Sequence, residues 1–156
     1  MHGLKIRDAI PDDASAMSGL LISSMQRHIL TDCSKEGAVI LLSSVTPCAI
    51  LDTFSPENLL LVAEIEKQIV GVITIKKGFH LYHLFVGDEH QRKGIARRLW
   101  QTAMKKCLQR KKPEFFTVNS ALNAVDAYAK LGFRVTDEVQ SRAGVRYIPM
   151  EMQVIC

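Results

Sequence analysis

The chain has 156 residues, 47% of them hydrophobic and 23% charged, with a net charge of +4. That length suits one domain with a full core, spanning 1–156, while no apolar run approaches the ~20 residues of a membrane span and Met1-His2-Gly3-Leu4-Lys5 lacks the apolar core of a secretory leader. Charge is unevenly placed: residues 91–112 hold nine Lys or Arg and no Asp or Glu, so the remainder, with eleven basic and sixteen acidic side chains, is an acidic body with one basic element.

Leu4 to Ala9 alternates as a first strand. Pro11-Asp12-Asp13 opens a helix, since proline suits a first turn and an aspartate can cap the free N–H groups. Ala16, Leu20, Leu21, Met25 and Ile29 recur at helical spacing through about His28. A second helix begins near Ser34, with Ala38, Leu41, Leu42 and Val45 as its stripe, and Thr46-Pro47 ends it. Residues 48–58 carry no clear period, and Ser55-Pro56-Glu57-Asn58 is a turn. Leu59–Ile65 and Ile69–Ile75, joined through Glu66-Lys67-Gln68, form a hairpin, and Lys77-Gly78 leads into a strand from Phe79 to Val86.

A basic amphipathic helix follows Gly94 and runs to about Lys112, with Ala96, Leu99, Trp100, Ala103, Cys107 and Leu108 on one face; Pro113 stops it. Phe115–Asn119 is a short strand. Ala121–Lys130 is a helix with Ala124, Ala127, Tyr128 and Leu131 inward, ended by Gly132. Phe133–Val139 and Arg146–Val154 are two last strands joined by a polar turn through Ala143-Gly144. The order β-α-α-β-β-β-α-β-α-β-β predicts an α/β layered domain with a mixed sheet of about six or seven strands and about four helices. The cysteines, Cys33, Cys48, Cys107 and Cys156, show neither CxxC nor His-Cys ligand spacing, so reduced thiols, a cytoplasmic setting and no metal are expected.

The stretch from Phe79 to Lys112 carries the chemistry. A strand turns through Gly87-Asp88-Glu89-His90 into Gln91-Arg92-Lys93-Gly94-Ile95-Ala96 and then a helix. Gly94 and Ala96 are small where a backbone must approach a ligand, so successive N–H groups can converge on one anion at the positive end of the helix dipole. Arg92, Lys93 and Arg97 add charge there. The segment lacks the Gly-Lys-Ser/Thr of an ATP-type loop and the third glycine of a dinucleotide fingerprint, so a diphosphate bound in some other way is implied. The basic residues further along, from Lys105 to Lys112, are consistent with a solvated helix face.

Gln91-Arg92-Lys93-Gly94-Ile95-Ala96 resembles the acetyl-coenzyme A signature of the GNAT N-acetyltransferase superfamily, Gln/Arg-x-x-Gly-x-Gly/Ala. Tyr82-His83-Leu84-Phe85-Val86 resembles that family's central strand, and Tyr128-Ala129-Lys130-Leu131-Gly132-Phe133, roughly 35 residues past the signature, resembles its Tyr-x-Lys-x-Gly-Phe segment. The resemblance covers essentially the whole element order. It implies transfer of an acetyl group from acetyl-coenzyme A to a primary amine by direct attack in a ternary complex. The backbone around Gly94 and Ile95 would hold the diphosphate. Leu84, Phe85 and Val86 would pair with the pantetheine arm beside a bulge that splays the strand from its neighbour. An N–H of Phe85 or Val86 would stabilise the oxyanion formed when an amine attacks the thioester. Tyr128 would protonate the leaving thiolate, a phenol being a matched donor; on periodicity alone it is a half-buried core tyrosine.

Two positions depart from the family pattern. Tyr82 stands where many members carry a base carboxylate, which leaves His83 or His80 as candidate bases, or direct loss of the amine's proton to water. On strand parity His80 and Tyr82 share one face and His83 the other. Ala121 replaces a cofactor-binding Asn seven residues before the tyrosine, and Asn119 or Asn123 would take its place, or Asn119 only caps the loop. The acceptor would enter between the first two helices and the last two strands, near Ser24, Met25, His28, Asp32, Glu36, Asp137 and Glu138. An acidic body suits a cationic small-molecule or peptide amine, and the apolar first helix suits a hydrophobic one. A homodimer is an allowed assembly. The rival readings are a non-catalytic acyl-coenzyme A sensor and a nucleic-acid binder using helix 91–112. Ten aromatics that do not alternate with the basic residues weigh against nucleic acid.

Overall fold

Leu59–Ile65 is buried at its first five positions, so both of its faces are covered. That near-continuous burial is the mark of a central strand in a three-layer α/β/α arrangement. A computed structural model describes residues 3–155; Met1, His2 and Cys156, with the expectations placed on them, lie outside the described residues. Its strands are β1 (Lys5–Asp8), β2 (Leu59–Ile65), β3 (Gln68–Lys76), β4 (His80–Val86), β5 (Phe115–Ser120), β6 (Arg134–Val135), β7 (Gln140–Arg142) and β8 (Val145–Gln153). Its helices are α1 (Ala14–His28), α2 (Lys35–Ser43), α3 (Pro47–Leu51), α4 (Ile95–Arg110) and α5 (Val125–Leu131). The sheet order is β1-β2-β3-β4-β5-β8-β6, with β7 paired to β8, and β4–β5 is its parallel pair. The expected α/β class and mixed sheet hold, with eight strands and five helices rather than about seven and four.

Two cores flank the sheet. On one face, Leu59, Leu61, Ile73, Ile75 and Leu81 meet Leu99, Trp100, Ala103 and Cys107 of α4. Trp100 packs edge-on to Phe116, with ring centroids 5.1 Å apart, and 5.2 Å from Phe133. On the other, Leu60, Val62 and Val72 meet Met17, Leu21 and Met25 of α1 and Val45 and Ile50 of the α2–α3 region. Burying a side chain the size of Ile95 or Leu99 of α4 contributes about 1.5–3 kcal/mol. Its surface pair Lys106–Asp8, at 3.9 Å, is of a kind worth about 0–1 kcal/mol. Core packing therefore holds α4, and its basic outer face is solvated.

Several local expectations are corrected. The α1 stripe runs Ala14, Met17, Ser18, Leu21, Ser24, Met25, with Ala16 exposed, because two serines share the buried face. Asp13 does not cap α1 through its own side chain; its carboxylate accepts from the Ile10 N–H at 2.8 Å and pairs with Arg7 at 2.8 Å. α2 begins at Lys35, as expected near Ser34, whose side chain caps it by accepting from the Gly37 N–H at 3.0 Å. Thr46-Pro47 starts a helix rather than ending one: α2 stops at Ser43, Thr46 accepts from the Ala49 N–H at 3.2 Å, and Pro47 occupies the first turn of α3. α5 is shorter than Ala121–Lys130, since residues 121–124 form a turn, and the strand expected over Phe133–Val139 pairs only at Arg134–Val135. The β2–β3 turn is Glu66-Lys67, both at positive φ (52° and 67°), with Gln68 already in β3.

Candidate active site

The site begins with an extra residue in β4. His83 pairs with Thr74 and Leu81 with Ile75, so Tyr82 is left over as a bulge. The bulge shifts side-chain parity. Leu81, Leu84 and Val86 pack toward α4, and Phe85 packs toward α1. Tyr82 and His83 therefore lie side by side, ring centroids 4.2 Å apart, rather than on opposite faces as strand parity had placed them. Beyond the bulge β4 also leaves β5: the two pair only at His80–Thr117 and Leu81–Val118. The edge of β4 from Tyr82 to Val86 consequently faces a gap.

The ladder decides which backbone groups that edge presents. The Gly87 N–H donates to the Val70 carbonyl at 2.9 Å, and opposed residues in an antiparallel pair alternate between hydrogen-bonded and open. Along the β3–β4 register the Phe85 and His83 amides thus point into β3, while those of Leu84 and Val86 point into the gap. The Val86 carbonyl on that edge accepts from the Gln91 side chain at 3.1 Å.

Below the gap sits an anion cradle. Arg92 and Gly94 both hold left-handed backbone, φ 62° and 80°, and Gly94 is the N-cap of α4 without a side-chain cap. The first-turn amides of Ile95, Ala96 and Arg97 have no intrahelical acceptors. A Cβ built on Gly94 would meet nothing within 4 Å, so the glycine serves the backbone turn and leaves open space in front of it. Ile95 is 1% exposed, and its side chain anchors the first turn of α4 in the core. Free amides, a helix N-terminus and flanking cations form a donor set that fits a diphosphate.

α5 brings Tyr128 to the other side of the gap. Gly132 ends the helix at φ 114° as expected, and the Phe133 N–H donates to the Tyr128 carbonyl at 3.1 Å. The Tyr128 ring packs edge-on to Phe133 at 5.9 Å. Burial pushes its phenol up to about 12, so it carries its proton at any working pH. Arg97 reaches across to the Lys130 carbonyl at 3.4 Å, tying the start of α4 to the end of α5.

The candidate bases are constrained by burial. His83 is 5% exposed, 3.4 Å from the Thr74 hydroxyl, and desolvation with the nearby Lys76 charge pushes it down to about 3. An imidazole so hard to protonate is a weak proton acceptor. His80 is also lowered by burial and Lys76, and is bound to the Thr117 hydroxyl at 2.8 Å.

These features open on one cavity of about 440 Å³. Of the sequence-predicted cofactor residues, Leu84, Phe85, Val86, Gln91, Ala96, Asn119 and Asn123 line it, as do Tyr128 and His83. Arg92, Lys93, Gly94, Ile95 and Arg97 flank its end at the α4 N-terminus. Asn123 donates to the His28 carbonyl at 2.8 Å, and Asp88 accepts from His28 and Arg27 at 2.7 Å each, so the end of α1 is strapped to both loops at the cavity mouth. Those partners hold the Asp88 carboxyl below the usual carboxylate range. On the acceptor side Ser24, Met25 and His28 line the cavity, but Asp32, Glu36, Asp137 and Glu138 do not. Val145, Arg146 and Tyr147 of β8, with Leu41 and Ser44 of the α2 region, take their place. The second helix and the last strand were the walls expected from sequence, but these residues were not singled out on them. They arrive because the β7–β8 hairpin folds onto α2, where the Ser34 N–H donates to the Gly144 carbonyl at 3.1 Å and Gly37 has no room for a Cβ against Gly144.

The fold and site together define an α/β protein with a split mixed sheet whose cleft ends on a helix N-terminus. Residues 29–154 match the model of the GNAT acetyltransferase domain, and the chain belongs to that family. It is similar to a GCN5-related N-acetyltransferase from Rhodopseudomonas palustris (TM-score 0.82, 19% identity, covering 99% of this chain and 98% of that one). It is also similar to the PaiA N-acetyltransferase of Thermoplasma acidophilum in complex with coenzyme A (TM-score 0.82, 18% identity, covering 97% and 99%). Both are likenesses of fold. In sequence it is 33% identical over 88 residues to human N-acetyltransferase 8, a match covering 49% of this chain and 39% of that protein's length.

Proposed function

We propose that this chain is an N-acetyltransferase that takes an acetyl group from acetyl-coenzyme A and passes it to a primary amine by direct attack in a ternary complex. The observation that carries the reading is the convergence of the unpaired β4 edge and Tyr128 on one cavity that ends at the first turn of α4. The bound coenzyme supplies the activated acetyl group; the rest falls to this chain. The amides around Gly94, with Arg92 and Lys93, hold the diphosphate. The Leu84–Val86 edge aligns the pantetheine amides as an added strand would. The Val86 N–H, not committed to β3, donates to the thioester oxygen as charge develops there. Tyr128 holds a proton for the departing sulfur.

Neither candidate base on β4 is strong. Tyr82 replaces a carboxylate, and His83 stays neutral far below physiological pH. The amine therefore enters as its neutral fraction and loses its proton to water or to His28, which lines the cavity 2.7 Å from Asp88, so the rate rises with pH until the amine itself is deprotonated. The missing carboxylate also favours a second reading, a non-catalytic acyl-coenzyme A sensor. A screen of primary amines with acetyl-coenzyme A, read by free thiol, separates the two. Thiol release that depends on an amine is expected; acetyl-coenzyme A binding without release across the panel would establish the sensor instead.

A further inference from the structure

The acceptor wall is apolar and carries positive charge. Among the described residues, no Asp or Glu lines the cavity, and Arg146 is its one Lys or Arg. Two carboxylates pair with residues at its rim: Asp88 is held by Arg27 and by the lining His28, each at 2.7 Å, and Asp32 lies 4.0 Å from Arg146. Met25, Ile29, Leu41, Phe85, Tyr82 and Tyr147 supply an apolar and aromatic surface. Lys76 places its ammonium 3.5 Å over the Tyr82 ring, adding positive potential behind that wall. The acidic body legible in the sequence does not extend into this cavity.

Resting on the acetyltransferase reading, we propose that the acceptor is a primary amine that also bears a carboxylate and an apolar or aromatic body, of which hydrophobic amino acids are the simplest case. Arg146 receives the carboxylate. Its guanidinium is loosely paired, 4.0 Å from Asp32 with both side chains about half exposed (53% and 43%). A pair of that geometry is readily exchanged for a bidentate carboxylate contact. Tyr147 is adjacent on β8, and the aromatic wall covers the substrate's apolar body. A polycation finds no carboxylate lining the cavity and meets Arg146, which already pairs with Asp32 at the rim, so polyamines are disfavoured by like charge. Arg146 thus acts in choosing the acceptor and not in the transfer step.

The test compares three amines in the thiol-release assay: phenylalanine, phenethylamine (the same body without its carboxylate) and spermidine. Wild-type kcat/KM is expected to be highest for phenylalanine. Arg146→Gln is expected to lower kcat/KM for phenylalanine roughly tenfold to a hundredfold, with a much smaller effect on phenethylamine. Arg146→Lys restores part of the loss, which separates charge from misfolding. Equal or better use of phenethylamine or spermidine by the wild type overturns this inference and leaves the transferase reading standing. So does a loss in Arg146→Gln that is equal for all three amines. Absence of thiol release with every amine overturns both.

Discussion

Tyr128, half-buried, and His83, buried, both line the cavity, and desolvation acts on them in opposite ways. It raises the Tyr128 phenol to about 12 and so keeps its proton in place. Tyr128→Phe removes the hydroxyl but keeps the ring contact with Phe133; turnover is expected to fall by about a hundredfold, with the acetyl-coenzyme A dissociation constant unchanged by calorimetry. Equal turnover in the variant would remove the residue from the reaction. For His83, burial lowers the folded-state value to about 3. The unfolded chain, with an ordinary imidazole near ~6.5, binds a proton through the interval where the folded protein binds none. Stability is therefore full above ~6.5 and falls as pH drops below it, by up to about 1.4 kcal/mol per pH unit. His80, lowered from the same causes, adds the same sign. His83→Gln is expected to flatten the decline of the thermal midpoint between about pH 6.5 and 5.5, above the range where most carboxylates titrate. An unchanged slope would contradict the burial argument.

At the scale of elements, the turn before α4 holds backbone strain where it is useful. Arg92 sits at φ 62° without being glycine, a conformation that costs an ordinary residue about 1–2 kcal/mol. Arg92→Gly is expected to raise stability by about 1 kcal/mol while weakening acetyl-coenzyme A binding through the lost charge. Chemical denaturation and calorimetry on the same variant check both signs, and a variant with unchanged affinity would remove Arg92 from the diphosphate site. α4 was legible from sequence because Leu99, Trp100, Ala103 and Cys107 recur at helical spacing behind a glycine that no L-residue replaces comfortably. α1 was legible in extent but not in phase, since Ser18 and Ser24 are buried while Ala16 is exposed. α3 was missed because a proline after threonine can close one helix or open another. The β4 bulge left no mark in composition, so the side-by-side placement of Tyr82 and His83 followed only from the register.

For the whole molecule, the sheet is two halves joined by two residue pairs between β4 and β5. The first half carries α1 and α4, the second carries α5 and the β7–β8 hairpin, and the cavity lies where they part. The family motifs exposed the cofactor half because Gly94 and Tyr128 sit within local segments. On the acceptor half the walls and Ser24, Met25 and His28 were legible, but Arg146 and Tyr147 were not, because they become neighbours of α1 and α2 only through long-range folding. A ligand bridging the split stabilises the folded chain by mass action, about 2.7 kcal/mol at a free concentration about a hundredfold above its dissociation constant.

The split sheet and the α4 cradle are claimed as a coenzyme A site, and isothermal titration of the intact protein with acetyl-coenzyme A tests that claim most directly. Saturable heat for one site per chain is expected, with affinity that weakens as salt screens Arg92 and Lys93. No heat, and no rise in the thermal midpoint at millimolar ligand, would contradict it.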